Sequence, residues 1–415
     1  MLNNRGLALY QNGKADEAIA AFRQALTVAT DFPEALSNLG VALDAQGKDD
    51  EAVADFKQSL KLKPTDAVTE SDLGFALYHQ KKYKEAAAAY QRSMALSPKF
   101  PQAYNGLGAV LFASGKSDEA IAAYRKAIEL SPHYVDALNN LAAALDSRQR
   151  WDEAIEAYQQ ALTVSPNALN IRSNYAATLQ RAKRNKEAIA NYRQIVSVHP
   201  DDAHALFELG SLLYLEGQLD EAIANLEKSL AIDTKQPEAE FTVGRAYQDL
   251  GKLPDAIHAY EQGLALHPGD PHAHYNLGNA YLASTDAGKA ADSYRKALEA
   301  QPDFPEALQG LGAVLLRMND LDGAEAAFTK VVALQPQNAE ARFNLGNIFF
   351  TKKQYQPAVD TYRVAIQLNA QYAHAHYNLA IALSLLKKHE EARKEFDEAH
   401  RLDATLSPPK DWAKH

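Results

Sequence analysis

Residues Gly115–Ser117 are the stretch of the sequence that most resembles a nucleotide-binding motif. In a phosphate-binding loop, Gly-Lys-Ser follows an earlier glycine, and the backbone N–H groups and the lysine contact the phosphates. That earlier glycine belongs five residues before Gly115, where this chain has Val110, and no β-strand pattern precedes it. We therefore interpret Gly115–Ser117 as an ordinary turn between two helices.

Two pairs of histidines, His272 with His274 and His374 with His376, are candidate metal ligands. Residues two apart on a helix point to different faces, so neither pair can chelate one ion. We expect one histidine of each pair on the packing face of its helix and the other on the open face. The chain has no cysteine, which excludes disulfides, thiolate metal sites and cysteine nucleophiles. We predict no catalytic residue, no metal site and no cofactor, and hence no enzyme.

Asparagines that recur at multiples of 34 residues indicate a different chemistry, the binding of a peptide main chain. A side-chain amide offers both a donor and an acceptor, so a column of amides can hold an extended peptide whatever its side chains. The column is interrupted at five places, and asparagine could also be plain repeat consensus there. The recurring asparagines are Asn4, Asn38, Asn140, Asn174, Asn276, Asn344 and Asn378, and the interruptions are Asp72, Gly106, Glu208, Thr242 and Gly310.

The residue before each of these positions changes character along the chain. It is small and polar in the N-terminal half, as at Ser37, and mostly aromatic in the C-terminal half. A row of half-exposed aromatic side chains is typical of a binding surface. The alternative is that the rings pack along neighbouring helices. The predicted aromatic site residues are Phe207, Phe241, Tyr275, Phe343 and Tyr377.

The elements that position these side chains follow from a 34-residue repeat marked by a ladder of alanines without insertion or deletion. With this alanine at position 20 of the unit, positions 4, 7, 8 and 11 form one apolar helical stripe, and positions 20, 24, 27 and 28 form another. Position 8 is Gly or Ala, and we expect it to face the alanine and bring the two helices close together. The ladder residues are Ala18, Ala52, Ala86, Ala120, Ala154, Ala188, Ala222, Ala256, Ala290, Ala324, Ala358 and Ala392.

The small residue after leucine and the Ala-x-x-x-aromatic step resemble the tetratricopeptide repeat (TPR) family. The resemblance implies an all-α fold, an α-solenoid coiled as a right-handed superhelix of about twelve helical hairpins. It also implies that the first helices line a concave groove that binds extended peptides. The asparagines resemble the groove of the TPR enzyme that attaches N-acetylglucosamine to Ser and Thr. The Lys/Arg clamp of chaperone-binding TPRs is missing.

The repeats predict one TPR solenoid over residues 1–406, followed by a tail over residues 407–415. The tail is predicted to be irregular or to begin a capping helix, with Ser407 as N-cap and Pro408 in the first turn. The last repeat carries Arg393 and His400 at usually apolar positions, as a terminal repeat requires. The predicted repeats span 1–32, 33–66, 67–100, 101–134, 135–168, 169–202, 203–236, 237–270, 271–304, 305–338, 339–372 and 373–406.

Charge and hydropathy exclude several classes of partner. Residues 1–202 contain 23 basic and 24 acidic residues, whereas residues 203–415 contain 20 and 29, so nine of the ten net negative charges lie in the second half. Such a surface disfavours nucleic acid, whose phosphates require a basic face. We find no signal peptide and no apolar stretch long enough to insert into a membrane. A cytoplasmic location is favoured, and a processed extracellular chain is the alternative.

The function that the sequence favours is a non-enzymatic scaffold that binds a protein or peptide segment in its groove. Two alternatives stay open. One is a structural protein whose solenoids associate end to end as filaments, although we expect monomers in dilute solution. The other is the detached targeting domain of a larger glycosyltransferase-like enzyme.

Overall fold

The computed structural model describes residues 1–408, which form 24 α-helices joined by short turns and contain no β-strand. The all-α expectation is confirmed. Of the predicted tail, Ser407 and Pro408 are not helical, and residues 409–415 lie outside the described residues. By their internal contacts the helices group into two compact units, Met1–Pro200 and Asp201–His415, which we call unit 1 and unit 2. The boundary falls in the turn between the sixth and seventh hairpins.

Unit 1 contains six hairpins stacked in chain order. The first helix of each hairpin after the first contacts both helices of the hairpin before it. The helices are α1 (Leu2–Gln11), α2 (Ala15–Val28), α3 (Pro33–Asp44), α4 (Asp49–Leu62), α5 (Ala67–His79), α6 (Tyr83–Leu96), α7 (Pro101–Ala113), α8 (Ser117–Leu130), α9 (Val135–Ser147), α10 (Trp151–Val164), α11 (Leu169–Arg181) and α12 (Asn185–Val198).

Unit 2 repeats the arrangement with six more hairpins, so the fold is an α-solenoid of tandem helical hairpins. Its helices are α13 (Ala203–Leu215), α14 (Leu219–Ile232), α15 (Pro237–Asp249), α16 (Leu253–Leu266), α17 (Pro271–Ala283), α18 (Ala287–Ala300), α19 (Pro305–Arg317), α20 (Leu321–Leu334), α21 (Ala339–Thr351), α22 (Tyr355–Leu368), α23 (Ala373–Leu385) and α24 (His389–Leu402).

Every hairpin turns through one residue with a positive φ. Five of these residues are the glycines predicted from the sequence, with φ between 72° and 79°. The other seven are side-chain-bearing residues, which adopt the left-handed region at a cost in conformational energy. The glycines are Gly13, Gly47, Gly115, Gly217 and Gly251, and the others are Lys81, Gln149, Lys183, Thr285, Asn319, Lys353 and Lys387.

The alanine ladder is buried throughout, with no ladder residue more than 1% exposed. Position 8 has a neighbour that the sequence did not indicate. A β-carbon on Gly40 would lie 2.7 Å from Cε1 of Phe56, so this glycine faces the aromatic ring at position 24. In the hairpin without an aromatic residue there, a β-carbon on Gly210 would lie 2.6 Å from Cγ of Leu226 and 3.0 Å from the backbone oxygen of the ladder alanine Ala222. Small residues at position 8 therefore make room for a buried ring.

Candidate peptide-binding surface

The predicted site residues all lie on the first helices of the hairpins, at positions 5 and 6 of the repeat. We call positions 5, 6 and 9 of these helices the first-helix face. Asn174 is exposed, and the other ten predicted residues are half-buried. The structure therefore places them at the surface, where one edge of each side chain packs and the other is accessible.

In unit 1 the predicted asparagines are bonded to asparagines of the preceding hairpin. Nδ2 of Asn38 donates to Oδ1 of Asn3 (3.0 Å), and Nδ2 of Asn140 donates to Oδ1 of Asn105 (3.1 Å). Asn174 donates in the same way to Asn139, at 3.4 Å. Each bond uses one of the two amide hydrogens and leaves the carbonyl oxygen of the donor residue as an acceptor. These amides are thus held in fixed orientations by their neighbours.

In unit 2 only one predicted asparagine makes such a bond. Nδ2 of Asn378 donates to Oδ1 of Asn347 (2.8 Å), an oxygen that also accepts from the buried Tyr362 hydroxyl (2.7 Å). The side-chain amides of Asn276 and Asn344 make no hydrogen bond to another residue within the described part of the chain. Their amides are therefore the predicted groups with the most free donors and acceptors.

The interruptions of the asparagine column at Gly106 and Gly310 have a steric cause. A β-carbon on Gly106 would lie 2.2 Å from Cε1 of Tyr90, and one on Gly310 would lie 2.7 Å from Cζ of Tyr294. Both rings belong to the second helix of the preceding hairpin. The Tyr294 hydroxyl donates to Oδ1 of Asn279 (2.6 Å), and burial raises its pKa to about 12, so it stays protonated as a donor.

A third interruption, Asp72, places a carboxyl group among these neutral side chains. Burial, and after it the negative charges of Asp66 and Asp44, raises the pKa of Asp72 to about 7. The carboxyl group therefore changes its charge near neutral pH.

The predicted aromatic residues are each half-buried between neighbouring side chains. The centroid of the Tyr275 ring lies 5.2 Å from that of Phe304 and 6.0 Å from that of Tyr294. Two hairpins later, the ring of Phe343 is flanked by Tyr372 and Tyr362, the equivalent residues of its own repeat. Tyr377 contacts Phe396, and its hydroxyl donates to the backbone oxygen of Ser407 (3.3 Å). Packing along neighbouring helices thus accounts for one edge of each of these rings.

Phe207, Phe241 and Asn276 come together on three successive first helices, α13, α15 and α17. They line a cavity of about 350 Å³, which we call the Phe241 cavity. Phe207 packs against the buried cluster that contains Leu226 and Val243. The remaining predicted site residues do not line this cavity. Its lining is completed by Ser211, Tyr214, Leu215, Glu238, Thr242, Arg245, Asp270, His272 and Ala273.

The polar part of the Phe241 cavity is organised around Arg245. Its guanidinium carbon lies 5.0 Å from the centre of the Tyr214 ring, a cation–π geometry. Its Nη2 donates a hydrogen bond to the Thr242 hydroxyl (2.9 Å). The buried Oγ of Ser211 has no hydrogen-bond partner within residues 1–408. The sequence prediction missed Ser211 and Tyr214. The signal available for them was their spacing, since Ser211 at position 9 lies on the same helical face as positions 5 and 6, and Tyr214 at position 12 lies three residues further along that face.

The sequence motifs that resemble a phosphate-binding loop and metal-binding histidine pairs have structural roles in the fold. Gly115 has a φ of 79° and ends the turn before α8, as expected. His274 and His376 are buried on the packing stripe, whereas His272 and His374 are exposed. The expected division of each pair between two faces is confirmed.

One group within residues 1–408 has the donor set of a metal site. Ligand atoms of Asp44, Asp49 and His79 lie within 4.8 Å of one another. Asp44 and His79 are 3.4 Å apart, and the equivalent residues three repeats later, Asp146 and Arg181, form a salt bridge. Burial is the main cause that raises the pKa of the Asp44 carboxyl. The repeat equivalence indicates an ion-pair position, with histidine in place of arginine.

Comparison with models of protein families shows which family the chain belongs to. Tetratricopeptide repeat models match residues 3–67, 99–167, 167–235, 242–305, 310–373 and 373–405, and a TPR repeat model matches residues 74–115. The chain belongs to the TPR family. No curated protein matches it significantly. TPR proteins generally mediate interactions between proteins.

Several solved structures align with this chain. The C-terminal part of a TPR repeat-containing protein from Cytophaga hutchinsonii aligns with a TM-score of 0.51 and 21% identity, over 57% of this chain and 98% of that one. MamA aligns with a TM-score of 0.40 and 25% identity, over 41% and 92%. The Cut9–Hcn1 hetero-tetramer of the APC/C aligns with a TM-score of 0.41 and 16% identity, over 98% and 93%. Among residues 1–408, no helix combines the length and apolar character needed to cross a membrane.

Proposed function

We propose that this TPR protein is a non-catalytic scaffold that binds an extended protein segment on the first-helix face of unit 2. The Phe241 cavity is the anchor of this site. The observation that carries the proposal is the meeting of two half-buried phenylalanines and an amide without partners in one cavity. Aromatic anchors in partly desolvated pockets supply most of the binding energy at protein interfaces.

The chemistry of the lining defines the segment. Phe207 and Phe241 fit an apolar side chain, and the free amide of Asn276 can bond to the main chain on either side of it. The charged lining residues Glu238, Asp270 and Arg245 carry one net negative charge. Oδ1 of Asp270 already accepts from the backbone N–H of Ala273 (2.6 Å). We therefore expect segments with one bulky apolar residue and a neutral or weakly basic flank.

A peptide selection tests this proposal. Phage-displayed peptides selected on the full chain should share an apolar anchor residue, and fluorescence anisotropy should give their affinity. Replacing both phenylalanines (Phe207→Ala with Phe241→Ala) should weaken binding by at least about 30-fold, or about 2 kcal/mol. Circular dichroism checks that the variant keeps its helices.

The matched control is Phe75→Ala, because Phe75 is an aromatic of the first-helix face in unit 1 that is 49% exposed. It should leave the affinity unchanged. Loss of binding with Phe75→Ala but not with the double variant would place the site in unit 1 and contradict the proposal.

End-to-end association remains the second hypothesis for the protein. The second helix of the last hairpin exposes Arg393 and His400, at positions where most inner hairpins carry apolar residues. Because a charged face does not reproduce the stacking surface of an inner repeat, we propose that this end does not extend the solenoid. Sedimentation velocity over a 100-fold range of protein concentration should show one species, and growing assemblies would favour the filament.

A further inference from the structure

A second and larger cavity lies in unit 2 between α16, α17 and α18. Its volume is about 770 Å³, within the range of small-molecule sites, and it shares no lining residue with the Phe241 cavity. His274, Ser293 and Lys296 line it, and we call it the His274 cavity.

His274 has an unsatisfied nitrogen. The side chain is buried, with 8% of the residue exposed, and Nε2 lies 2.9 Å from the backbone oxygen of Pro268. A carbonyl oxygen only accepts, so Nε2 carries a hydrogen and donates. The other ring nitrogen, Nδ1, is buried and has no hydrogen-bond partner within residues 1–408. Buried polar atoms are nearly always bonded, so a bare one indicates a missing partner.

The last hairpin of the same chain contains the partner that is missing here. His376 lies three repeats after His274, and its Nε2 faces the backbone oxygen of Ala370 (3.3 Å), the equivalent of Pro268. Its Nδ1 lies 2.6 Å from Oε2 of Glu395. Glu395 is in turn the equivalent of Ser293. The two sites therefore share the histidine and the backbone acceptor, and differ in whether the chain supplies a carboxylate.

We propose that the His274 cavity binds a carboxylate from outside the chain, which takes the place that Glu395 occupies beside His376. Both ring nitrogens then face oxygen atoms, and one hydrogen lies between Nδ1 and the bound carboxyl group. The Ser293 side chain has three fewer non-hydrogen atoms than the glutamate at the equivalent position, and it makes no hydrogen bond to Nδ1.

The charged groups around the cavity limit which carboxylates fit. Lys296 makes no ion pair within residues 1–408, and Lys289 lies 5.1 Å over the Tyr281 ring and 3.9 Å from Asp286. Glu261, which accepts from the Tyr281 hydroxyl (2.5 Å), and Asp292, paired with Arg295 (2.9 Å), are already engaged.

Glu299 is the remaining acidic lining residue, so the lining carries three carboxylates against two lysines. This balance disfavours polyanions. A single carboxylate fits, either the side chain of a glutamate in a docked protein or a small free acid.

The test is an NMR titration of the full chain, labelled with ¹⁵N-histidine. Sodium propionate, the analogue of a glutamate side chain, is the ligand, and sodium chloride at the same concentration is the salt control. Propionate should shift the ring nitrogen signals of His274 saturably, and His274→Gln assigns those signals. Ser293→Glu should place an internal carboxylate on Nδ1 and weaken the response to propionate at least ten-fold. Glu395→Ser should open a second responsive site at His376.

Ser293→Glu also tests the proposal if propionate binds too weakly to be measured. The ring nitrogens of His274 should then give signals like those of His376. Two results would overturn the proposal. In one, the His274 ring of Ser293→Glu keeps a nitrogen without a hydrogen-bond partner. In the other, His274 does not respond to propionate although His376 responds in Glu395→Ser. A capped pentapeptide with a central glutamate, and its glutamine analogue, distinguish the sources. Binding of the glutamate peptide ten-fold tighter than propionate indicates a protein segment, and equal affinity indicates a small acid.

Discussion

A β-carbon on Gly106 would lie 2.2 Å from Cε1 of Tyr90, which is closer than any real side-chain contact. Gly106 belongs to α7 and Tyr90 to α6, the second helix of the preceding hairpin. Tyr90 is only 3% exposed, so its ring cannot move aside without disturbing the core. The absence of a side chain at Gly106 is therefore a requirement of packing between hairpins.

We expect Gly106→Ala to destabilise the chain by about 1–3 kcal/mol, because the added methyl group overpacks the buried ring. Chemical denaturation followed by circular dichroism gives the change in midpoint. The matched control is Gly288→Ala in α18, where the nearest atom to a β-carbon is 3.7 Å away. That change should be neutral or stabilise by up to ~1 kcal/mol, since alanine favours helix. Equal midpoints for the two variants would contradict the packing account.

Thr285→Gly should raise the free energy of unfolding by about 1 kcal/mol. Thr285 forms the turn between α17 and α18 with a φ of 69°, which a β-branched residue adopts only with strain. Asn319→Gly, at a φ of 60°, is the comparison, and it should gain less because asparagine tolerates the left-handed region. Denaturant midpoints of the two variants check the order, and a larger gain at Asn319 would refute it.

Asp72→Asn should stabilise the chain at pH 8 and have little effect at pH 4. The folded-state pKa of Asp72 is raised from 3.8 to about 7, so its contribution to stability is present below pH ~4 and is lost as the pH rises through 7. Asparagine does not ionise and removes this loss, which we put at about 1–3 kcal/mol at pH 8. Asp31→Asn, at an exposed turn residue, is the control. A pH-independent difference between Asp72→Asn and the natural chain would exclude this titration.

The fold could be predicted from the sequence because one pattern is repeated with a fixed length. The ladder from Ala18 to Ala392 determined the helix pairs, and the glycines determined five of the twelve turns. The turns at residues such as Lys183 and Thr285 were not predicted, because their side chains carry no local signal for a positive φ.

The candidate site was predictable in position but not in connectivity. Spacing placed the asparagines on one face, yet it could not show that the Asn38 side chain is bonded to Asn3 while the Asn276 side chain has no hydrogen-bond partner within residues 1–408. These bonds join residues of different hairpins and depend on how far each helix is rotated. Likewise, Gly106 interrupts the column because of a ring in another helix, which no local pattern reveals.

The last prediction separates the two kinds of asparagine. Asn38→Ala should destabilise the chain by about 1–2 kcal/mol, because it leaves Oδ1 of Asn3, a residue only 8% exposed, without its donor. Asn276→Ala should change stability by less than ~0.5 kcal/mol, since its amide has no partner to lose. Peptides selected on the Phe241 cavity should bind Asn276→Ala about five- to ten-fold more weakly and Asn38→Ala with unchanged affinity. Denaturation and anisotropy on the same two variants give the comparison, and a peptide affinity that falls with Asn38→Ala alone would move the main-chain contact into unit 1.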